Sequence, residues 1–373
     1  MKRSWLRTAL LNTALVIFSF VMAVGLAEIA VRIVAPQQLI MIRPDLWQPA
    51  DTVGWLRRAN VNAEINTGQG AVQLMSDQDG FRIGRAGRSS GVPVLVLGDS
   101  FVEALQVEYE QSVSGLLEQS LSAATGGTVA VRNAGVGGWT PSQYYLRARS
   151  LLPRDNYRLV ITAVYVGNDA RPDRTDYVAP RRNVDRHEFR LPRAINKAEL
   201  VGATLRPLND ALEVRSHLFI MVRKRLETLR MKTGTSPLYF PREFLKRETG
   251  SSSWTTTADI CRDIKILAEQ HGARALFVLI PTNYQVDPTI FHAYVRGFGI
   301  DTAAVDLDQP TRRLMEEFTR RDLQVIDALP RFRELNAAGQ DLYGNVDQHL
   351  SAAGHQALSE LVTPVAAHLL AND

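Results

Sequence analysis

Cysteine is almost missing from this chain of 373 residues: Cys261 stands alone, so no disulfide can close within it, whatever the redox compartment. In ADICRDIKILAEQHG that cysteine reads as a small apolar side chain on a helix. The seven histidines are scattered, with neither HxxxH nor CxxC spacing, so the sequence presents no metal-ligand cluster and asks for no cofactor. An excess of one charge is lacking too: 43 Lys and Arg against 39 Asp and Glu leave a net charge of +4. The run RRNVDRHEFRLPR is interrupted by Asp185 and Glu188 and forms no basic stripe beside aromatics, which argues against a nucleic-acid partner. With 45% hydrophobic and 22% charged residues, the chain is too apolar for disorder.

The most consequential absence lies near the N-terminus, where no charged residue occurs from Thr8 to Ala27. Twenty helical residues at 1.5 Å each span about 30 Å, the thickness of a bilayer core. Lys2, Arg3 and Arg7 precede the stretch and by the positive-inside rule stay in the cytoplasm. Residues 1–35 are therefore expected to be a single-pass membrane anchor, with the remaining chain in the periplasm or outside the cell. A cleaved signal peptide, cut after Gly25-Leu26-Ala27, is the alternative, but its apolar region is usually only about 7–15 residues long.

Residues 36–90 form a juxtamembrane lead-in, in which DTVGW, the alternation through AVQLM and then DQDGFR suggest a small β element without chemistry. From 91 to 373 the pattern alternates. Strands are expected near 92–98, 129–134, 158–166, 274–281 and 323–327, and helices near 101–124, 141–151, 256–271, 309–321 and 351–370. Such alternation implies an α/β fold: a three-layer α/β/α sandwich on a central parallel five-stranded sheet, with flavodoxin-like strand order.

Active sites of open α/β sheets lie at the carboxyl ends of the strands. Ser100 follows the apolar run Val92–Leu97 and so falls at such an end. A serine hydroxyl needs an imidazole to take its proton, and the imidazole needs a carboxylate to hold its tautomer. NVDQHLSAAGH supplies His349 as base and Asp347 as the nearest acid; His355, in the first turn of the terminal helix, is the weaker candidate for base. Asp99 is expected to tie down the turn.

The blocks GDSF at 98–101, NAGVGG at 133–138, GND at 167–169 and DQHLSAAGH at 347–355 resemble, in order, the four sequence blocks of the SGNH (GDSL-type) hydrolases. The resemblance covers roughly residues 90–370. It implies a Ser100–His349–Asp347 triad and an oxyanion hole made of the Ser100 amide, the Gly135 amide and the Asn168 side chain. The family usually places its acid three residues before the histidine, where this chain has Val346; Asp347 lies two before, and Asp341 is a substitute.

Between Asp169 and Trp254 lies an insertion, at about 170–254, too long for a crossover. It opens with ARPDRTDYVAPRRNVDRHEFRLPR and continues as a helix over about 208–232. There Leu208, Leu212, Phe219, Val222, Leu226 and Leu229 predict one buried face, with Arg223 and Arg230 on one edge, Arg225 on the other and Arg215 within it. Following GND, the insertion should overhang the site, and Tyr284 and Gln285 are expected on the same rim. These features point to an exported, membrane-anchored serine esterase that removes a short acyl group, such as acetyl, from an envelope carbohydrate. O-acetyl transfer to a polysaccharide by the same acyl-serine, or a catalytically silent glycan-binding protein, are the alternatives.

Overall fold

A computed structural model describes residues 2–35, 37, 45–67, 69–169, 208, 211–212, 215–233, 244, 246, 253–298, 301–344 and 348–371. All five expected parallel strands are present: β6 (Val92–Leu97), β7 (Val129–Asn133), β8 (Leu159–Tyr165), β9 (Arg274–Ile280) and β10 (Val325–Asp327). They lie in the order β7-β6-β8-β9-β10, with every neighbouring pair parallel, which is the flavodoxin-like order. These strands are nearly continuous Val, Leu and Ile because both faces are covered. Leu95 and Leu97 of β6 point into one core with α4 (Pro141–Leu151), α6 (Ser253–Gln270) and α9 (Gln309–Arg320). Val94 and Val96 point into the other, with α3 (Val113–Thr125), α10 (Leu329–Ala337) and α11 (Ala352–Ala371).

The sheet has eight strands, not five. Beyond β7 it continues antiparallel through β5 (Arg82–Ile83), β4 (Ala71–Ser76) and β3 (Asn62–Asn66), all drawn from the lead-in. The alternation that suggested a small β element belongs to β4, whose burial alternates in step with it. A hairpin of β1 (Trp47–Ala50) and β2 (Gly54–Arg57) packs its Trp47 and Trp55 into the α4 side of the core.

The helix expected over 101–124 is broken in two. A single turn, α2 (Ser100–Glu103), ends at Ala104 in the left-handed region (φ 55), and α3 starts afresh from Ser112, whose hydroxyl accepts the Gly115 amide. A broken helix leaves carbonyls without partners. Here the buried Arg82 guanidinium donates to the carbonyls of Glu103, Ala104 and Val107, and so stabilises the break.

At the N-terminus α1 (Lys2–Val34) is the one described helix long and apolar enough to cross a membrane. The insertion contributes α5 (His217–Thr233), which packs against α1 and against α8 (Pro288–Phe298). Its expected buried stripe is not buried: Leu208, Val222, Leu226 and Leu229 are exposed, because α5 turns the opposite face, around Ile220, to the protein. Tyr284 and Gln285 differ as well. They lie in the short helix α7 (Asn283–Val286), where both are buried; Tyr284 packs on Phe244 and Tyr294, and Gln285 caps its own helix with Thr282. The arginine-rich run at 170–193 lies outside the described residues.

Cys261 is fully buried on α6, and burial pushes its thiol well above the ordinary value. His355 is buried on α11, where its Nδ1 accepts the Val113 amide at 3.3 Å and so caps α3. Burial, helped by the charges of Arg82 and His349, pushes its imidazole from 6.5 down to about 3. The unfolded chain therefore binds a proton that the folded one refuses, so the native state loses stability as pH falls from 6.5 towards about 3. His355→Asn, which keeps an acceptor for Val113, should flatten that limb in urea unfolding followed across pH. An equally steep loss in variant and wild type would refute the assignment.

Candidate active site

β6 ends at Gly98, where a Cβ would come within 2.4 Å of Val102 Cγ2 and 3.3 Å of the Ala163 carbonyl. Only glycine lets the strand end fold this tightly onto α2 and the neighbouring β8. Asp99 is the N-cap of α2: its carboxylate accepts the Phe101 amide at 2.9 Å. Ser100 therefore opens α2, half-buried, at the carboxyl end of β6, the strand at which the sheet order reverses.

Asp99 has a second task. Its other oxygen accepts Asn168 Nδ2 at 2.9 Å, so the carboxylate that caps α2 also orients the side chain of the GND turn. An amide nitrogen carries two hydrogens, and this bond uses one of them. Burial pushes the Asp99 carboxyl above the ordinary range, opposed by the bonds from Asn168 and Phe101 and by the charge of His349. The GND turn is itself fixed: Asp169 accepts the Tyr165 amide at 2.9 Å and the Tyr144 hydroxyl at 3.0 Å.

The glycine loop after β7 corrects one expectation. The Gly135 amide donates to Asn133 Oδ1 at 3.1 Å, closing a turn over the strand end, and is not presented to a substrate. A Cβ there would meet Val102 at 2.6 Å and the Glu103 amide nitrogen at 2.8 Å, so Gly135 serves close packing against α2. The Gly137 amide is engaged as well, by Glu103 Oε2 at 2.7 Å. Gly137 is the glycine that borders Ser100, since a Cβ on it would stand 3.7 Å from Ser100 Cβ. Gly138 follows, exposed and at φ 75, and no hydrogen bond among the described residues engages its amide.

His349 lies on a loop closed by the Tyr343–Leu350 bridge and by the Gly344 amide bonding to the His349 carbonyl at 2.8 Å. Its ring sits 5.0 Å, centroid to centroid, from Phe101, which stacks on Tyr165 at 3.9 Å. Phe101, the residue after Ser100, thus supports the imidazole. Gln348 ties the same loop to α8 by donating to the Tyr294 hydroxyl at 2.8 Å. Asp347 and Val346 lie outside the described residues. Asp341 is exposed, and its carbonyl accepts the Ser351 hydroxyl; no bond from its carboxylate to His349 occurs.

The lead-in, to which the sequence assigned no chemistry, supplies the floor of the site. The Glu103 carboxylate, 1% exposed, accepts Arg57 at 2.9 Å and Trp47 Nε1 at 2.9 Å through Oε1, and the Gly137 amide through Oε2. Arg57, also 1% exposed, donates to the Gly135 carbonyl at 2.6 Å, and Trp55 Nε1 donates to the Gly137 carbonyl at 3.0 Å. Nothing in the local sequence marks these partners, because they are 34 to 82 residues apart.

Removing one partner of a buried ion pair strands a charge, at about 3–5 kcal/mol, whereas a surface pair contributes about 0–1 kcal/mol. Arg57→Met should accordingly cost about 3–5 kcal/mol of unfolding free energy, and Arg312→Met, which removes the surface pair with Asp306, under about 1 kcal/mol. Equal losses in urea titrations would contradict this.

No protein-family model matches the chain, and no curated protein matches it. Solved structures similar to it include TesA, at 15% identity over 74% of this chain and 99% of that one, with a TM-score of 0.36. A lipolytic protein of the G-D-S-L family from Veillonella parvula is 12% identical over 74% and 97%, with a TM-score of 0.37. Axe2, an acetylxylan esterase from Geobacillus stearothermophilus, is 11% identical over 78% and 97%, with a TM-score of 0.39. At such scores the likeness carries no functional weight.

Proposed function

We propose that the chain is a serine ester hydrolase of SGNH type, anchored by α1 and exported, that removes acetyl or a similar short acyl group from an envelope or extracellular carbohydrate. The observation that carries the reading is the convergence of three sequence blocks on one sheet end. Ser100 opens α2, Asn168 is held beside it by Asp99, and the ring of His349 stands against Phe101. The compartment follows from the uncharged span and its basic flank, and the carbohydrate from the compartment.

In this reading His349 takes the Ser100 proton as Oγ attacks the ester carbonyl, with Asp347 holding the imidazole. The oxyanion receives the Ser100 amide, the remaining Asn168 Nδ2 hydrogen and, in place of Gly135, the amide of Gly138. His349 then protonates the departing alkoxide, and water, activated by the same imidazole, releases the acyl group. A sugar hydroxyl in the place of water would make the reaction a transfer; the ratio of acetylated sugar to free acetate distinguishes the two.

Mixing the protein with p-nitrophenyl acetate should give a burst of nitrophenol and an added acetyl mass on the Ser100 peptide, both absent in Ser100→Ala. No acylation by any activated ester would sink the reading in favour of a silent binding protein. Asn168→Ala should lower turnover by about a hundredfold or more, the usual effect of losing an oxyanion donor. Because the base must be neutral, the rate should fall on acidification through the ordinary imidazole range near about 6.5. A rate flat between about pH 5 and 8 would remove His349 from that role.

A further inference from the structure

α5 turns an apolar stripe away from the protein. Ile220 is buried against the protein, while Leu218 and Phe219, which lie toward the opposite side on the helical projection, are half-buried. On the other side Val222, Leu226 and Leu229, spaced by four and three, form one stripe that is 46%, 53% and 57% exposed. On the helical projection the exposed Arg225 flanks one edge of that stripe, and the exposed Arg223 and Arg230 the other. A helix on a globular surface turns its apolar face to the protein, and one that turns it outward, bordered by arginines, has the pattern of a helix lying at a bilayer surface.

The start of α5 fixes its depth. Glu28 of α1 accepts the backbone amides of His217 and Leu218, each at 2.9 Å, and the Ser216 hydroxyl at 2.8 Å, so a carboxylate from the anchor caps the insertion helix. Arg32 binds Glu28 and also the Arg215 carbonyl. Glu28 is the first charged residue after the uncharged span from Thr8 to Ala27. α5 is thus pinned to the level at which the uncharged part of α1 ends, within the apolar span Leu11–Val34. A cavity of about 320 Å³ lies in the corner between the two helices, lined by Val34, Gln37, Asn66, Met221, Lys224 and Arg225. A lining that sets Val34 and Met221 beside the amides of Gln37 and Asn66 and two cations suits the polar glycerol end and phosphate of a phospholipid.

We infer that α5 is a second membrane contact: its outer stripe enters the boundary between headgroups and acyl chains of the bilayer that α1 spans. Arg223, Arg230 and the cavity at Lys224 and Arg225 bind the phosphates of anionic phospholipid. The inference rests on the reading of α1 as an anchor. Arginine is suited to the flanking positions because its aliphatic stem covers apolar surface while its guanidinium reaches phosphate.

The test uses the full chain with one nitroxide at a time, at Leu226→Cys, Leu229→Cys, Ile17→Cys in α1 or Arg320→Cys on the aqueous surface; Cys261 is fully buried and escapes labelling. The protein is reconstituted in vesicles of phosphatidylcholine and phosphatidylglycerol in equal parts, and collisions with oxygen and with a nickel chelate report depth. At 226 and 229 oxygen access relative to nickel should exceed that at 320 several-fold, stay below that at 17, and shrink in pure phosphatidylcholine. Labels at 226 and 229 as open to nickel as that at 320, with 17 in lipid, would overturn the inference and leave the anchor intact. A label at 17 in water would overturn both. Immobile labels at 226 and 229 shielded from both colliders would mean that protein covers the stripe, and would equally overturn it.

Discussion

A buried carboxylate three residues after Ser100, Glu103, joins the parts of the chain on which the candidate site depends. It belongs to α2, the turn that carries Ser100, and it holds Trp47 of β1, Arg57 of β2 and the Gly137 amide of the loop after β7. Taking a charge out of water costs several kcal/mol unless its lone pairs are filled and a counter-charge lies close by. Each Glu103 oxygen has a donor and the counter-charge is as buried as the carboxylate. The arrangement is therefore all or nothing, and it commits the hairpin, the glycine loop and the nucleophile turn to one geometry.

Arg82 does the complementary work on the backbone. By donating to the carbonyls that α2 leaves open, it allows the helix after β6 to stop after one turn. A continuous helix from Ser100 would carry Glu103 and the Ser100 turn on one rigid rod; the break lets α2 seat on the glycine loop while α3 packs independently on α11. Burial leaves the Arg82 guanidinium easier to deprotonate than usual, pushed down to about 10, and it is still a cation at neutral pH. The two buried arginines of the lead-in thus shape the site without touching the reacting atoms.

Much of this was legible in the sequence for a plain reason: buried parallel strands must be apolar along their whole length, so β6 to β10 stand out as runs, and their spacing by helices fixes the class of sheet. Ser100 and Asn168 could be singled out because each sits at the end of such a run, and His349 because it stands in the block DQHLSAAGH. Gly135 was misassigned because a glycine that permits close packing and one that presents an amide look the same in sequence. Which it is depends on where Asn133 Oδ1 points. The α5 stripe misled in a related way, since a 3.6-residue period reports an apolar face and not what covers it.

The sequence by itself determined the order of the core strands, the apolar span at the N-terminus and the positions of Ser100, Asn168 and His349 on strand ends and loops, because periodicity and charge are local properties. Tertiary structure alone decided that the lead-in would extend the sheet, that Glu103 and Arg57 would meet under the nucleophile, that Asp99 would hold Asn168, and that Glu28 would cap α5. Those are contacts between residues 46 to 189 positions apart, and no local pattern encodes a partner that only the folded chain brings within hydrogen-bond reach.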